Sequence, residues 1–255
     1  VKPDLIFIHG MWSRHTVWSD WVRVFQAQGY NCLTPDLPGH SEHDSDTQLA
    51  GTKLQQYVDA VVDLAKGCDR PVLIGHSLGG LLAQLAAQHV ELSGLVLVNS
   101  AAPGQVFPLR AVMLPGLVRH FAKWGLWKRS FRLSDWEADY LVFNRVPYEQ
   151  RALFRQLLIA ESGRVAYAVG YGRLNLAGTN QVDRSKVNCP ILCLAGGSDR
   201  IIPPSVSRRV AKWYGGSLDY REFSGQGHWL LGEPGWQAHV ESIGKWLAAL
   251  GAEQA

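Results

Sequence analysis

Three residues far apart in this chain have the side chains needed to activate a hydroxyl. Ser77 stands in Gly75-His76-Ser77-Leu78-Gly79, a Gly-x-Ser-x-Gly pattern. Asp199 stands in Gly197-Ser198-Asp199-Arg200, and His228 in Gly225-Gln226-Gly227-His228-Trp229. A serine hydroxyl is a weak nucleophile at neutral pH. It needs a base within hydrogen-bond reach, and the base needs an acid to orient it. Attack on a carbonyl then creates an oxyanion, which needs preorganised donors. The backbone N–H of Leu78, the residue after the serine, is one candidate donor. The N–H of Met11, in His9-Gly10-Met11-Trp12, is the other.

Each feature also has a plainer reading. Gly-x-Ser-x-Gly has few constrained positions and occurs by chance. Asp199 reads as well as a turn aspartate, capping the helix at Ser205 or paired with Arg200. His228 reads as an ordinary loop histidine, and His9-Gly10 as a strand-end turn. Position ties them together. Ser77, Asp199 and His228 each follow the carboxyl end of a different expected strand, where ligands of open α/β sheets gather.

The elements around them can be read in turn. The run Pro71 to Ile74 is short and apolar on both faces, as in a buried parallel strand. Leu81, Leu82, Leu85 and Ala86 then fall at helical spacing, so the chain must turn almost on the spot at Ser77. Gly75 and Gly79 keep that turn free of Cβ atoms, and the serine itself takes strained backbone angles. Further strands are expected at Leu5–Ile8, Tyr30–Thr34, Leu95–Asn99, Pro190–Gly196 and Leu218–Phe223, the last at an edge. Strand and helix alternate between them, which predicts a mostly parallel, doubly wound sheet of about six strands. Residues 104–180 break the alternation. They show no strand-like run, hold twelve aromatics from Phe107 to Tyr171, and carry a capping-box signature from Ser134 to Glu137. The expectation is an all-helical cap inserted over Ser77, with residues 1–103 and 181–255 forming the core.

Composition narrows the function classes. The 255 residues are 47% hydrophobic and 18% charged, which suits a globular chain with a sizeable core. No apolar run reaches the roughly 18–20 residues of a membrane span, so stable membrane insertion is not expected. The four cysteines, Cys32, Cys68, Cys189 and Cys193, match no zinc spacing and read as reduced thiols. With no signal peptide before the first strand, they point to a cytoplasmic location. Net charge is +3, but residues 104–186 hold 13 Lys plus Arg against 6 Asp plus Glu. That excess reads either as solvated helix faces or as a surface favouring acidic substrates. No nucleic-acid motif accompanies it. The acidic run Glu42-His43-Asp44-Ser45-Asp46 reads as a solvated loop, and no metal or cofactor is expected. Oligomeric state stays open.

Taken together, the chain resembles the α/β-hydrolase superfamily over essentially its whole length. The resemblance is carried by His9-Gly10-Met11-Trp12, Asp36-Leu37-Pro38-Gly39-His40, Gly75-His76-Ser77-Leu78-Gly79-Gly80, Gly196-Gly197-Ser198-Asp199 and Gly227-His228. The chain order Ser, Asp, His is the one this superfamily uses. Two features depart from it. There is no room before Leu5 for the two extra strands with which the family commonly begins, a trait shared with the compact plant methylesterase and hydroxynitrile-lyase group. Ser41 replaces the usual glycine after the Pro-Gly-His turn.

The resemblance implies an α/β-hydrolase fold and a serine hydrolase of small carboxylic esters, acting through an acyl-enzyme. Trp12, His76 and Trp229 flank the catalytic elements and are the expected substrate-binding residues. Other activities use the same constellation: carbon–carbon bond hydrolysis of ring-cleavage products, and lactonase or perhydrolase chemistry. A Trp after the histidine and a basic cap favour the carbon–carbon alternative. Gly75-His76 before the serine disfavours it. Dehalogenases and epoxide hydrolases place an aspartate where Ser77 stands. A small-molecule receptor that keeps the fold is a third, non-catalytic possibility.

Overall fold

Short apolar runs that alternate with amphipathic ones assemble into one parallel sheet with helices on both faces. The computed structural model describes residues 2–121, 124–170 and 177–253. The chain begins with β1 (Leu5–Ile8), α1 (Ser19–Ala27), β2 (Cys32–Leu33), α2 (Asp46–Gly51) and α3 (Leu54–Lys66). It continues through β3 (Val72–His76), α4 (Leu78–Ala86) and β4 (Gly94–Val98). An insertion follows, with α5 (Leu114–Phe121), β5 (Ser130–Phe131), α6 (Asp135–Leu141), α7 (Tyr148–Arg155), β6 (Glu161–Ser162) and α8 (Gly163–Gly170). The chain then returns through β7 (Ile191–Gly196), α9 (Pro204–Tyr214), β8 (Leu218–Phe223) and α10 (Gln237–Glu253).

Six strands form the main sheet in the order β2-β1-β3-β4-β7-β8, every pair parallel. The strand ending at Ser77 is therefore central, with β1 and β4 beside it. Its register sets Ile74 opposite Phe7 on one side and Val96 on the other. Side chains alternate between faces. Ile6, Ile8, Leu73 and Leu97 pack with Val58, Val61, Leu81 and Leu82 of α3 and α4. Leu5, Phe7, Ile74 and Val96 pack with Trp21 and Phe25 of α1 and with Ile243 and Trp246 of α10. Both faces are covered, so β1, β3 and β4 are fully buried, and apolar but for His76 at the end of β3.

The sheet topology follows the expected pattern, with β8 at the edge. Three local features differ. The second strand shrinks to Cys32–Leu33. The polar stretch 41–51 contains α2, nucleated by a capping box between Ser45 and Gln48 rather than by apolar periodicity. The insertion is not all-helical: β5 and β6 pair antiparallel, Ser130 opposite Ser162 and Phe131 opposite Glu161. Two-residue strands are too short to leave a periodic signal. The Ser134–Glu137 box is present, with the Glu137 carboxylate accepting from Ser134 N–H at 2.7 Å. Of the aromatics named above, Tyr171 and the side chain of Phe121 lie outside the described residues.

The four cysteines are free thiols. Burial pushes Cys32 and Cys189 up to about 11 and Cys193 up to about 12, so these three are neutral at pH 7. The acidic run after His40 has local partners. Glu42 pairs with Arg14 at 3.0 Å, and the Asp44 carboxylate accepts from Ser41 N–H at 3.0 Å.

Candidate active site

The turn from β3 into α4 puts Ser77 at φ 53° and ψ −119°, a left-handed conformation costly for a residue with a Cβ. Neighbouring backbone holds it there. Ser77 N–H donates to Val98 C=O at 3.0 Å, and Ser77 C=O accepts from Ala101 N–H at 2.8 Å and Gly80 N–H at 3.1 Å. A Cβ on Gly75 would collide with the Gly79 carbonyl, and one on Gly79 with the Ile8 carbonyl. The tight packing of strand, turn and helix leaves no alternative to glycine at either position.

Asp199 lies in the loop after β7. One oxygen, Oδ1, accepts from the N–H groups of Ile201 at 2.7 Å and Ile202 at 2.8 Å. The other, Oδ2, lies 2.7 Å from His228 Nδ1, with both side chains buried. An ionised carboxylate can only accept, so Nδ1 carries the proton and donates. Nε2 is left as the basic nitrogen, the tautomer a general base requires.

The His228 loop is pinned on each side. Asn99 Nδ2 donates to the carbonyls of Gly227 at 2.8 Å and His228 at 2.9 Å, while Asn99 Oδ1 accepts from Gly196 N–H at 2.7 Å. Glu233 accepts from the amides on either side of His228, Gly227 N–H at 2.6 Å and Trp229 N–H at 3.1 Å. Burial raises the Glu233 carboxyl above its usual range, those two amides oppose the rise, and the nearby Asp199 carboxylate adds to it. Neither residue was singled out in the sequence. Asn99 had a usable signal as a polar residue at the carboxyl end of an apolar strand. Glu233 had none.

The loop after β1 approaches the serine closely. A Cβ on Gly10 would lie 2.9 Å from the Ser77 Cβ. His9 sets the loop from below. Its Nδ1 donates to Gly10 C=O at 2.9 Å and its Nε2 accepts from Leu37 N–H at 3.1 Å. That arrangement requires a neutral ring. Burial, reinforced by the neighbouring His40, lowers the His9 pKa to about 3. Met11 and Leu78 both border the cavity onto which Ser77 opens. Among the described residues, no protein acceptor takes a hydrogen bond from the N–H of either.

This cavity has a volume of about 140 Å³. The core supplies Met11, Trp12, Leu78 and Ile202 to its wall, and the insertion supplies Leu117, Trp127, Phe131 and Ala166 among others. Trp12 is where a wall residue is expected, held at φ 59° and packed edge-on against Phe131 at 5.6 Å. His76 and Trp229 are not on the wall, contrary to the sequence expectation. His76 turns into the core behind the serine, donates from Nε2 to His228 C=O at 3.0 Å, and packs on Trp18 and Trp229. Burial, together with the neighbouring His228, lowers its pKa to about 3, so it adds no charge. Trp229 packs on Phe143 at 5.2 Å and Phe154 at 5.9 Å. Sequence adjacency misled here because His76 closes β3, where successive side chains point to opposite faces, and Trp229 lies in a loop whose path turns it inward. Among the described residues no Lys or Arg lines the cavity.

One buried ionic cluster was not anticipated. Glu161 of β6 reaches His40 Nε2 at 3.2 Å and accepts from the Tyr57 hydroxyl at 2.9 Å. It ties the insertion to the Pro-Gly-His turn of the core. The His40 ring in turn packs 4.9 Å from His9, below the loop that carries Met11.

An open parallel sheet with a strained serine turn at its centre and an Asp–His pair at the neighbouring strand ends is the arrangement of an α/β hydrolase. The chain belongs to the alpha/beta hydrolase family, whose model matches residues 5–240. It is similar to a pyrethroid hydrolase of Sphingobium wenxiniae, 32% identical over 116 residues, which are 44% of this chain and 41% of that protein. The first curated relatives are thus matched over about two-fifths of their length. Phospholipase YtpA of Bacillus subtilis is 25% identical over 252 residues, covering 90% of this chain and 89% of that one. The crystal structure of a pyrethroid hydrolase from Sphingobium faniae JZ-2 superposes with a TM-score of 0.75 at 21% identity, covering 97% and 98% of the two chains. That likeness establishes the fold.

Proposed function

We propose that this protein is a serine hydrolase of carboxylic esters, with Ser77 as nucleophile, His228 as general base and Asp199 as its orienting acid. The 2.7 Å bond from His228 Nδ1 to Asp199 Oδ2, beside a strained serine that opens on an apolar cavity, carries this reading. His228 Nε2 takes the Ser77 proton as Oγ attacks the ester carbonyl. The Met11 and Leu78 amides receive the oxyanion. The intermediate collapses, the C–O bond breaks, and the alcohol leaves with the proton from His228. Water then gives a proton to His228 and attacks the acyl-enzyme. Collapse returns that proton to Ser77 and releases the acid.

Residues 104–180 act as the cap in this account, and the rest of the chain as the core. The cap closes an apolar space close in size to the roughly 150 Å³ cavity that takes up benzene. The substrate therefore presents a compact apolar group, a single ring or a short branched chain. The absence of Lys or Arg among the described wall residues favours neutral esters over the acidic substrates of the carbon–carbon alternative. Curated relatives named as a pyrethroid hydrolase and a phospholipase agree with ester cleavage. Free cysteines fit a reducing compartment, and a cytoplasmic location is part of the proposal.

A series of p-nitrophenyl esters of increasing acyl length tests the reading, with Ser77→Ala as control. Turnover of short neutral esters that Ser77→Ala lacks is expected. Equal turnover by Ser77→Ala, or turnover only of a dienone acid, would overturn it.

A further inference from the structure

The outer surface of the insertion is unlike the rest of the molecule. Among the described residues, all nine large hydrophobic side chains that are exposed lie in it. Five of them, Phe107, Val112, Leu114, Val118 and Trp124, fall within one stretch of chain, with Trp124 the most exposed at 87%. Monomeric proteins scatter such residues singly, whereas concentrated ones mark a contact surface.

The same stretch has an extreme charge pattern. No Asp or Glu occurs between Glu91 and Asp135, while Arg110, Arg119, Lys123, Lys128, Arg129 and Arg132 do. Arg119 is spent on Glu137, held through two hydrogen bonds of 2.7 and 2.9 Å. Lys128, Arg129 and Arg132 are exposed. Among the described residues none of these three has an acidic partner in ion-pair range.

The inner side of this stretch is the cavity wall. Met113, Leu117 and His120 line the cavity, while Leu114 and Val118, one turn apart on α5, face outward. Trp124 packs edge-on against Trp127, a wall residue, at 5.1 Å. A helix with apolar side chains on both its inner and outer sides needs a second apolar medium.

From these observations we infer that the outer face of the insertion docks on the surface of an anionic lipid bilayer. Aliphatic and indole side chains enter the boundary between headgroups and acyl chains, and the unpaired Lys and Arg sit at headgroup level. A second copy of this chain is disfavoured, because a two-fold contact would set cations against cations. Docking is peripheral. Among the described residues no helix is long and apolar enough to cross a membrane. On the proposed function this gives the site a route for apolar esters out of the bilayer. The docking itself needs no turnover, so it stands or falls separately.

Flotation of the Ser77→Ala protein with vesicles tests it. One set is phosphatidylcholine alone, and the other contains about one-third phosphatidylglycerol. The expected result is a preference of about tenfold or more for the anionic vesicles, weakened by salt. Leu114→Ser with Val118→Ser should lose most of the binding. Lys128→Glu, Arg129→Glu and Arg132→Glu together should lose the preference. In the Ser77 background, unchanged p-nitrophenyl acetate turnover and circular dichroism establish that both variants fold. Absence of binding, equal binding to both vesicle types, or binding that survives both sets of substitutions would overturn the inference, as would a stable dimer that hides this face.

Discussion

Gly10 and Ser77 are packed so closely that a single methyl group at position 10 would lie 2.9 Å from the serine Cβ. The Ser77 turn and the loop carrying Met11 are therefore set against each other without slack. Gly10→Ala should push the Met11 amide away from the serine while leaving both hydrophobic cores intact. Losing one oxyanion donor typically costs about 10²–10³ in kcat. We expect a fall in that range with the melting temperature nearly unchanged, read by ester kinetics beside a thermal scan.

Asp199→Asn tests the tautomer argument. An amide keeps the shape of the carboxylate but can hold the ring with its proton on the wrong nitrogen. The expected loss is about 10³–10⁴ in kcat, with little change in KM. A loss below tenfold would mean that another group orients His228.

Glu161 and His40 are both fully buried, and their pairing links the insertion to the core. Removing one partner of such a pair leaves an uncompensated group, and Glu161→Ala should cost about 3–5 kcal/mol of unfolding free energy. The pair also has a pH signature. Burial alone would lower the His40 pKa, but the charge and hydrogen bond of Glu161 outweigh it, so the net shift is upward from 6.5. The stabilisation is fully present below the unfolded-state value and is lost as pH rises through the raised native value. The advantage of the wild type over Glu161→Gln in urea midpoint should therefore shrink as pH rises above about 6.5. A midpoint difference that does not narrow with pH would mean that the pair carries no pH-dependent stability.

Ala166 is a small residue in the wall of the 140 Å³ cavity. Ala166→Phe would fill much of that space. KM for a p-nitrophenyl butyrate should rise about tenfold while the acetate changes less than about twofold, as expected when a pocket loses room for one or two methylenes. Steady-state kinetics on the two esters read this directly.

The parts of this protein that were legible in its sequence are those under the tightest steric demand. β3, the glycines at 75 and 79 and the helix after them could be read because a strand-to-helix turn in a buried sheet tolerates few residues. Ser77, Asp199 and His228 could be ranked because each follows a strand end. Pocket walls were harder. Trp12 was found beside the loop, but His76 and Trp229 face the core, and side-chain direction is set by strand pleat and loop path rather than by adjacency. Asn99 and Glu161 act across long sequence separations, and only the folded chain brings them to their partners; Glu233 reaches amides only four and six residues back, but in a loop without periodicity to mark it. The β5–β6 pair was invisible because strands of two residues carry no periodicity.

The central claim is that Ser77 is the nucleophile that His228 activates. Treatment with a fluorophosphonate, followed by peptide mass spectrometry, tests it most directly. The wild type should carry one adduct, on Ser77, Ser77→Ala should carry none, and His228→Ala should label far more slowly. No adduct on the wild type, an adduct on another residue, or equal labelling of Ser77→Ala would contradict the account.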